Sequence, residues 1–90
     1  MKPVLLLPLP GNEALAAMIA AAGGGVVVPL HVHRFPDGET LVRLDGEVAT
    51  RDVCFVCSLD QPDTKTLPLL FGADAARDLG AASVGLAAPY

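Results

Sequence analysis

Positive charge is scarce in this 90-residue sequence, which has six lysine and arginine residues against ten aspartate and glutamate residues. The six basic residues are scattered along the chain, and the formal net charge is −4. A protein that binds nucleic acid must neutralise phosphates with a basic stripe or patch. The sequence therefore argues against a nucleic-acid partner.

A hydrophobic run long enough to span a bilayer, which takes about 20 residues, is also missing. The longest apolar segment, residues 14–28, is too short and contains three consecutive glycines. Residues 4–7 follow Lys2 as in a signal peptide, but Pro8 and Pro10 break this run and no small-residue cleavage site follows. We therefore expect a cytoplasmic protein with no membrane partner.

Aromatic residues are few, with three phenylalanines, one tyrosine and no tryptophan, although 52% of the residues are hydrophobic. The apolar content is therefore alanine, valine and leucine, which is typical of helices packed on a parallel sheet. So much apolar surface in a chain this short indicates that part of it contacts another domain or subunit.

Only two cysteines are present, Cys54 and Cys57, and they have the C-x-x-C spacing of redox and metal sites. They lie in a predicted strand, where residues three apart point to opposite faces. The two sulfurs then cannot meet each other or share a metal. We predict two inert core thiols.

The distribution of apolar, helix-forming and turn residues predicts five strands and two helices. The order is strand (4–7), helix (14–22), strand (30–34), strand (40–44), strand (53–58), helix (capped by Thr64 or Thr66, ending near 79) and strand (83–88). Long helices between apolar strands predict an α/β fold with a mostly parallel sheet. The turn residues 36–38 join two of the strands as an antiparallel β-hairpin.

Some side chains receive specific predictions within these elements. Asn12 is predicted to cap the first helix, whose buried stripe would be Leu15, Met18 and Ile19. Asp74 shares a helical face with apolar residues, so it should either pair with the nearby Arg77 or lie where that face ends at a subunit interface.

The most distinctive segment of the chain is the hexapeptide Arg-Phe-Pro-Asp-Gly-Glu at residues 34–39. Together with residues 42–44, Val48, residues 51–53 and the final Ala-Pro-Tyr, it resembles the start of the ribose-phosphate diphosphokinases, also called phosphoribosyl pyrophosphate synthetases. The resemblance extends over essentially the whole chain, and the hexapeptide is its specific part. It implies a three-layer phosphoribosyltransferase-like domain.

The resemblance also implies an activity. Members of this family transfer the β,γ-diphosphate of ATP to the 1-hydroxyl of ribose 5-phosphate with Mg²⁺, as dimers that commonly build hexamers. Residues 1–90 would be an incomplete N-terminal domain, with the second domain outside this chain. We therefore expect no catalytic residue and no metal ligand here, and an inactive isolated chain.

Three residues of the hexapeptide are assigned a role by position in the family's loop. The resemblance implies that Phe35 stacks on adenine at the ATP site of a neighbouring subunit. It also implies that Asp37 and Glu39 accept hydrogen bonds around the amino edge of the purine. These residue types suit that chemistry, because carboxylates accept from an amine but repel phosphates.

Several alternatives remain at this point. The chain could be a non-catalytic assembly or regulatory homologue, or an unrelated small α/β domain whose loop matches by chance. His31 and His33 share one strand face and could bind a metal, although hydrogen-bonded structural histidines fit better because no further ligand has a matching spacing. Residues 63–68 depart from the family's Asn-containing helix start, which leaves any regulatory nucleotide site on this half open.

Overall fold

The computed structural model describes residues 2–44, 46–58 and 62–88, and of residues 40 and 62–67 only the backbone. The chain forms two helices and six strands within these ranges. They are β1 (Leu5–Pro8), α1 (Glu13–Ala21), β2 (Val26–Val27), β3 (Leu30–Arg34), β4 (Thr40–Leu44), β5 (Asp52–Val56), α2 (Pro62–Asp78) and β6 (Ser83–Ala87).

Four strands form a fully parallel sheet in the order β2-β1-β5-β6. The central strands β1 and β5 are mostly apolar and buried, with Leu5 beside Val53 and Leu7 beside Phe55. Such strands are expected where helices cover both faces of a sheet. β3 and β4 form a separate antiparallel hairpin in which Val32 lies opposite Val42. The predicted α/β fold with one hairpin is confirmed.

The alternation of side chains along the strands creates two cores, one on each face of the sheet. Leu5, Leu7 and Phe55 face α2 together with the base of the hairpin, whereas Leu6 and Val56 face α1. The molecule therefore has three layers, and α2 contacts both the sheet and β4. This packing fixes the base of the hairpin against the domain.

Helix α2 approaches the sheet closely at Gly72. A Cβ atom at this position would lie 2.8 Å from Cε1 of Phe55, whose side chain is fully buried. A glycine inside a helix costs about 1 kcal/mol relative to alanine. Close packing against the phenylalanine ring accounts for its presence here.

The structure corrects the prediction for α1. Met18 is 69% exposed, and the helix contacts the sheet through the fully buried Ala16, with Leu15 and Ile19 beside it. A small residue at the contact lets the helix lie close to the strands, so the bulky Met18 falls outside. Asn12 occupies the position before the helix, but its Oδ1 accepts from the Ser58 backbone N–H at 3.0 Å instead of capping.

The structure bears on three further predictions. The short strand β2 was not among the predicted elements, because two valines before a proline give no strand pattern of their own and pair only with β1. Helix α2 begins at Pro62, before either threonine predicted to cap it. Asp74 is exposed and makes no ion pair with Arg77 among the described residues.

No helix within the described residues is both long and apolar enough to cross a bilayer.

Candidate functional site

The candidate site is the turn that joins β3 to β4. The Phe35 N–H donates to the Glu39 carbonyl at 2.8 Å, and the Gly38 N–H donates to the Phe35 carbonyl at 2.9 Å. These bonds make a three-residue hairpin loop, in which the third loop residue takes positive φ. Gly38 has φ of 92°, which favours glycine there. The backbone of the loop is therefore well defined.

The ring of Phe35 lies at the start of this loop and is 41% exposed. It meets the ring of His33 edge to face, with 4.4 Å between the ring centroids and 77° between the ring planes. Aromatic pairs prefer this geometry, and it limits the positions that the ring can take. Part of the surface of a large aromatic side chain is thus available to a partner.

The two acids of the loop are also exposed. Asp37 Oδ1 accepts from the Glu39 N–H at 3.1 Å, which braces the turn. This bond uses one of roughly four lone-pair positions on the carboxylate. The structure therefore brings Phe35, Asp37 and Glu39 together on one exposed turn, outside the domain's core, while their contact with adenine stays a prediction.

The strands of the hairpin present a second feature on the side away from the domain. His31, His33, Leu41 and Arg43 line an open groove of about 350 Å³. Their neighbours on the other face of the hairpin, Leu30 and Leu44 among them, pack against the core. We call the side that carries the groove and Phe35 the outer face of the hairpin.

The sequence pattern alone did not indicate this groove. Both histidines are exposed. Strand alternation places both histidines on one face of β3. The register of the hairpin is also needed to place Leu41 and Arg43 opposite them. His31 lies directly across from Arg43, and His33 across from Leu41.

The cysteines occupy opposite faces, as predicted. Cys54 packs with the α1 core, Cys57 is buried in the α2 core, and neither is in a disulfide. Burial raises the pKa of the Cys54 thiol above its ordinary value of 9.0, which outweighs a backbone hydrogen bond with Ala87. Over the described residues, no group of three or more histidine, cysteine or acidic side chains could hold a metal.

Other residues of the recognised pattern have structural contacts. The Arg51 guanidinium Nη2 donates to the Pro3 carbonyl at 2.8 Å, and Asp52 Oδ1 accepts from the Ser83 hydroxyl at 2.7 Å. They tie together the starts of β1, β5 and β6. At the loop before α1, Glu13 accepts from the Gly11 N–H at 2.9 Å, so an acid already occupies a donor that an anion would need.

Comparisons with known proteins place the chain in a family. Residues 4–90 match the family described as the N-terminal domain of ribose phosphate pyrophosphokinase. Ribose-phosphate pyrophosphokinase from Halobacterium salinarum is 35% identical over 86 residues, which cover 96% of this chain and 30% of the relative. The same-named protein from Thermoplasma acidophilum is 31% identical over 85 residues, or 94% of this chain and 29% of the relative. The chain thus spans less than a third of these relatives.

Solved structures agree on the fold. Phosphoribosylpyrophosphate synthetase from Mycobacterium smegmatis superposes with a TM-score of 0.81 at 23% identity, covering 99% of this chain and 30% of that one. A hypoxanthine-guanine phosphoribosyltransferase from L. donovani gives a TM-score of 0.66 at 20% identity, covering 97% of this chain and 53% of that one. The three-layer phosphoribosyltransferase-like fold is therefore confirmed. By its sequence match over residues 4–90, this chain belongs to the family of ribose phosphate pyrophosphokinase N-terminal domains.

Proposed function

We propose that this domain supplies an adenine-binding loop to an enzyme that makes phosphoribosyl pyrophosphate from ATP and ribose 5-phosphate. The observation that carries the proposal is the exposed turn, on which an aromatic ring and two carboxylates stand together. The curated relatives are ribose-phosphate pyrophosphokinases, and their name fits this activity. Residues 1–90 act as the N-terminal domain of a two-domain enzyme.

The chemistry of the turn suits the base end of ATP. Stacking of a base on an aromatic side chain contributes about 1–3 kcal/mol in nucleic-acid complexes. The carboxylates of Asp37 and Glu39 accept hydrogen bonds from the exocyclic amine of adenine, which a purine without that amine cannot give. Because both are acidic, they do not hold the triphosphate.

We propose that the reaction centre lies outside the described residues of this chain. The transfer joins the 1-hydroxyl oxygen of ribose 5-phosphate to the β-phosphorus of ATP and releases AMP. Mg²⁺ supplies charge neutralisation at the phosphates in such reactions, but the described residues offer no cluster that would hold it. We assign it no ligand here and expect the isolated chain to form no AMP.

We also propose that the loop works in a neighbouring subunit of a cytoplasmic homo-oligomer, a dimer or a hexamer built from dimers. The hairpin is separate from the four-stranded sheet, and the turn lies at its free end. Large apolar side chains on α2, including Leu70 (59% exposed) and Phe71 (41%), offer surface for subunit contacts. This same surface also suits the alternative function, which is that of a non-catalytic assembly or regulatory homologue.

The test is the replacement Asp37→Ala in the full-length protein. It removes an acceptor from the adenine edge and the brace of the turn, so the Kd for ATP should rise by about tenfold, as for hydrogen bonds of charged groups. Isothermal titration should show an unchanged Kd for ribose 5-phosphate. Asp78→Ala, an exposed acid at the end of α2, is the matched control.

An equal loss of affinity for both substrates would contradict the role of Asp37. Tight ATP binding by the wild-type protein without formation of AMP would instead favour the non-catalytic homologue.

A further inference from the structure

The two chains of the hairpin pass very close to each other where the hairpin joins the domain. A Cβ atom added to Gly46, which follows β4, would lie 2.6 Å from Cγ1 of Val28, which precedes β3. Carbon atoms that are not bonded to each other pack at about 3.5–4.0 Å. The close approach of Val28 therefore leaves no room for a side chain at residue 46.

The register of the hairpin explains why these two residues meet. The ladder pairs Leu30 with Leu44, and two residues beyond this pair the same register places Val28 across from Gly46. Residues directly opposite each other in an antiparallel pair have Cα atoms only about 4.5–5.5 Å apart. The contact thus lies at the base of the hairpin, at the end opposite to the turn that carries Phe35.

Both sides of this contact are held in place by the domain. The Val28 N–H donates to the Leu6 carbonyl of β1 at 2.9 Å, and the Val28 side chain packs against the α2 core. A valine side chain is also stiff at χ1. On the other chain, Val48 is 1% exposed and belongs to the same core. Since neither chain can retreat freely, a larger residue at position 46 would tilt the hairpin against the sheet.

A small tilt at the base becomes a large displacement at the turn. With a rise of about 3.3 Å per strand residue, the Phe35 ring lies about 20 Å from the contact, so a tilt of about 5° moves it by about 2 Å. A misplacement of about 1 Å in a group that positions a substrate can cost a factor of about a hundred. The packing at the base therefore determines where the turn presents its ring and its acids.

We propose that Gly46 is a positioning residue for adenine binding. Its missing side chain lets the base of the hairpin close on Val28, and this contact sets the direction in which Phe35 is presented. The inference rests on the proposed function of the turn, because the ligand is the same adenine. It adds that a residue outside the turn controls the affinity for ATP.

The experiment replaces Gly46 with alanine in the full-length protein and measures the Kd for each substrate by isothermal titration. Gly46→Ala should raise the Kd for ATP by about tenfold through displacement of the turn, and the Kd for ribose 5-phosphate should not change. Gly24→Ala is the matched control, because its Cβ would lie 2.6 Å from Cγ2 of Ile19, beside α1 and outside the hairpin. This control should lower stability to urea and leave both Kd values unchanged.

A second replacement separates positioning from a general loss of stability. Val28→Ala makes room at the contact, because the nearest remaining atom, Cβ of residue 28, lies 3.7 Å from the added methyl group. In this background Gly46→Ala should leave the Kd for ATP unchanged. Val28→Ile crowds the same contact from the other chain, so it provides a second test if urea denaturation shows that Gly46→Ala is unfolded, and it should also raise the Kd for ATP.

The inference is overturned if Gly46→Ala leaves ATP binding unchanged while Asp37→Ala weakens it, and the proposed function of the turn then stands. It is also overturned if Gly24→Ala weakens ATP binding as much as Gly46→Ala, or if Val28→Ala gives no rescue. Unchanged ATP binding in both Gly46→Ala and Asp37→Ala would overturn the adenine-binding function and this inference together.

Discussion

Individual residues of this domain divide between a protected interior and a hairpin built to present its side chains. Phe55 and Leu7 are fully buried, whereas Phe35 is 41% exposed. Leaving the Phe35 ring partly in solvent forgoes part of the about 1.5–3 kcal/mol that full burial of a phenylalanine contributes. The ring is instead positioned by His33 and a hydrogen-bonded turn. Such placement is understandable if a ligand or partner covers the ring.

The cysteines give a prediction at the scale of single residues. The thiolate is the reactive form of cysteine, and burial raises the pKa of Cys54, so it stays protonated at pH 8. Cys57 is fully buried. Both should react slowly with a thiol-specific disulfide reagent in the native chain and rapidly in guanidinium chloride.

The pH dependence follows from the direction of the shift. The rate of the native reaction of Cys54 should increase with pH and level off only above its pKa, which burial raises above the ordinary value of a free thiol. The difference in reaction rate between the wild-type chain and the Cys54→Ala variant gives the contribution of Cys54. Complete native modification within seconds at pH 8 would contradict the burial of these thiols.

At the scale of elements, the contact between α2 and β5 determines how closely the layers pack. Gly72→Ala should gain about 1 kcal/mol of helix propensity but lose about 1–3 kcal/mol through overpacking, because its Cβ would lie 2.8 Å from Phe55. We expect a net decrease in the free energy of unfolding, measured by urea denaturation of the chain.

A double-mutant cycle provides the control for this contact. Phe55→Leu makes room at the site, so Gly72→Ala should be neutral or stabilising in that background. If Gly72→Ala stabilises the chain even beside the intact phenylalanine, the close approach of α2 is wrong.

The elements also show what the sequence could predict. The bounds of β3 and β4 were predicted correctly, because the turn at residues 36–38 sets the hairpin locally. The strand β2 and the contact through Ala16 were not, since both depend on partners distant in the chain. Helical spacing alone predicted that Met18 is buried. In the structure the small side chain of Ala16 is buried between helix and sheet instead, and Met18 is exposed.

The site was predictable to a similar extent. The sequence located Phe35, Asp37 and Glu39 in one turn, and the structure exposes them together. The groove could not be recognised from the sequence, because it requires the register that places Arg43 opposite His31. The sequence also did not predict the structural role of Arg51 and Asp52, whose side chains connect the starts of neighbouring strands.

At the scale of the whole molecule, a three-layer domain carries a separate hairpin with its own exposed chemistry. The described residues extend over 42 × 27 × 16 Å, and large hydrophobic side chains remain exposed on α2 and on the edge strand β6. Leu86 of β6 is 46% exposed, for example. These surfaces agree with the prediction that part of the apolar content meets another domain or subunit, which stays a prediction.

The central claim is that the ring at residue 35 stacks on the adenine of ATP. Because this chain has no tryptophan, Phe35→Trp introduces a fluorescent reporter at that position, read as the difference from the wild-type full-length protein. Saturating ATP should change the emission of this tryptophan, and ribose 5-phosphate alone should leave it unchanged. Full ATP binding with no change in its emission would contradict the account.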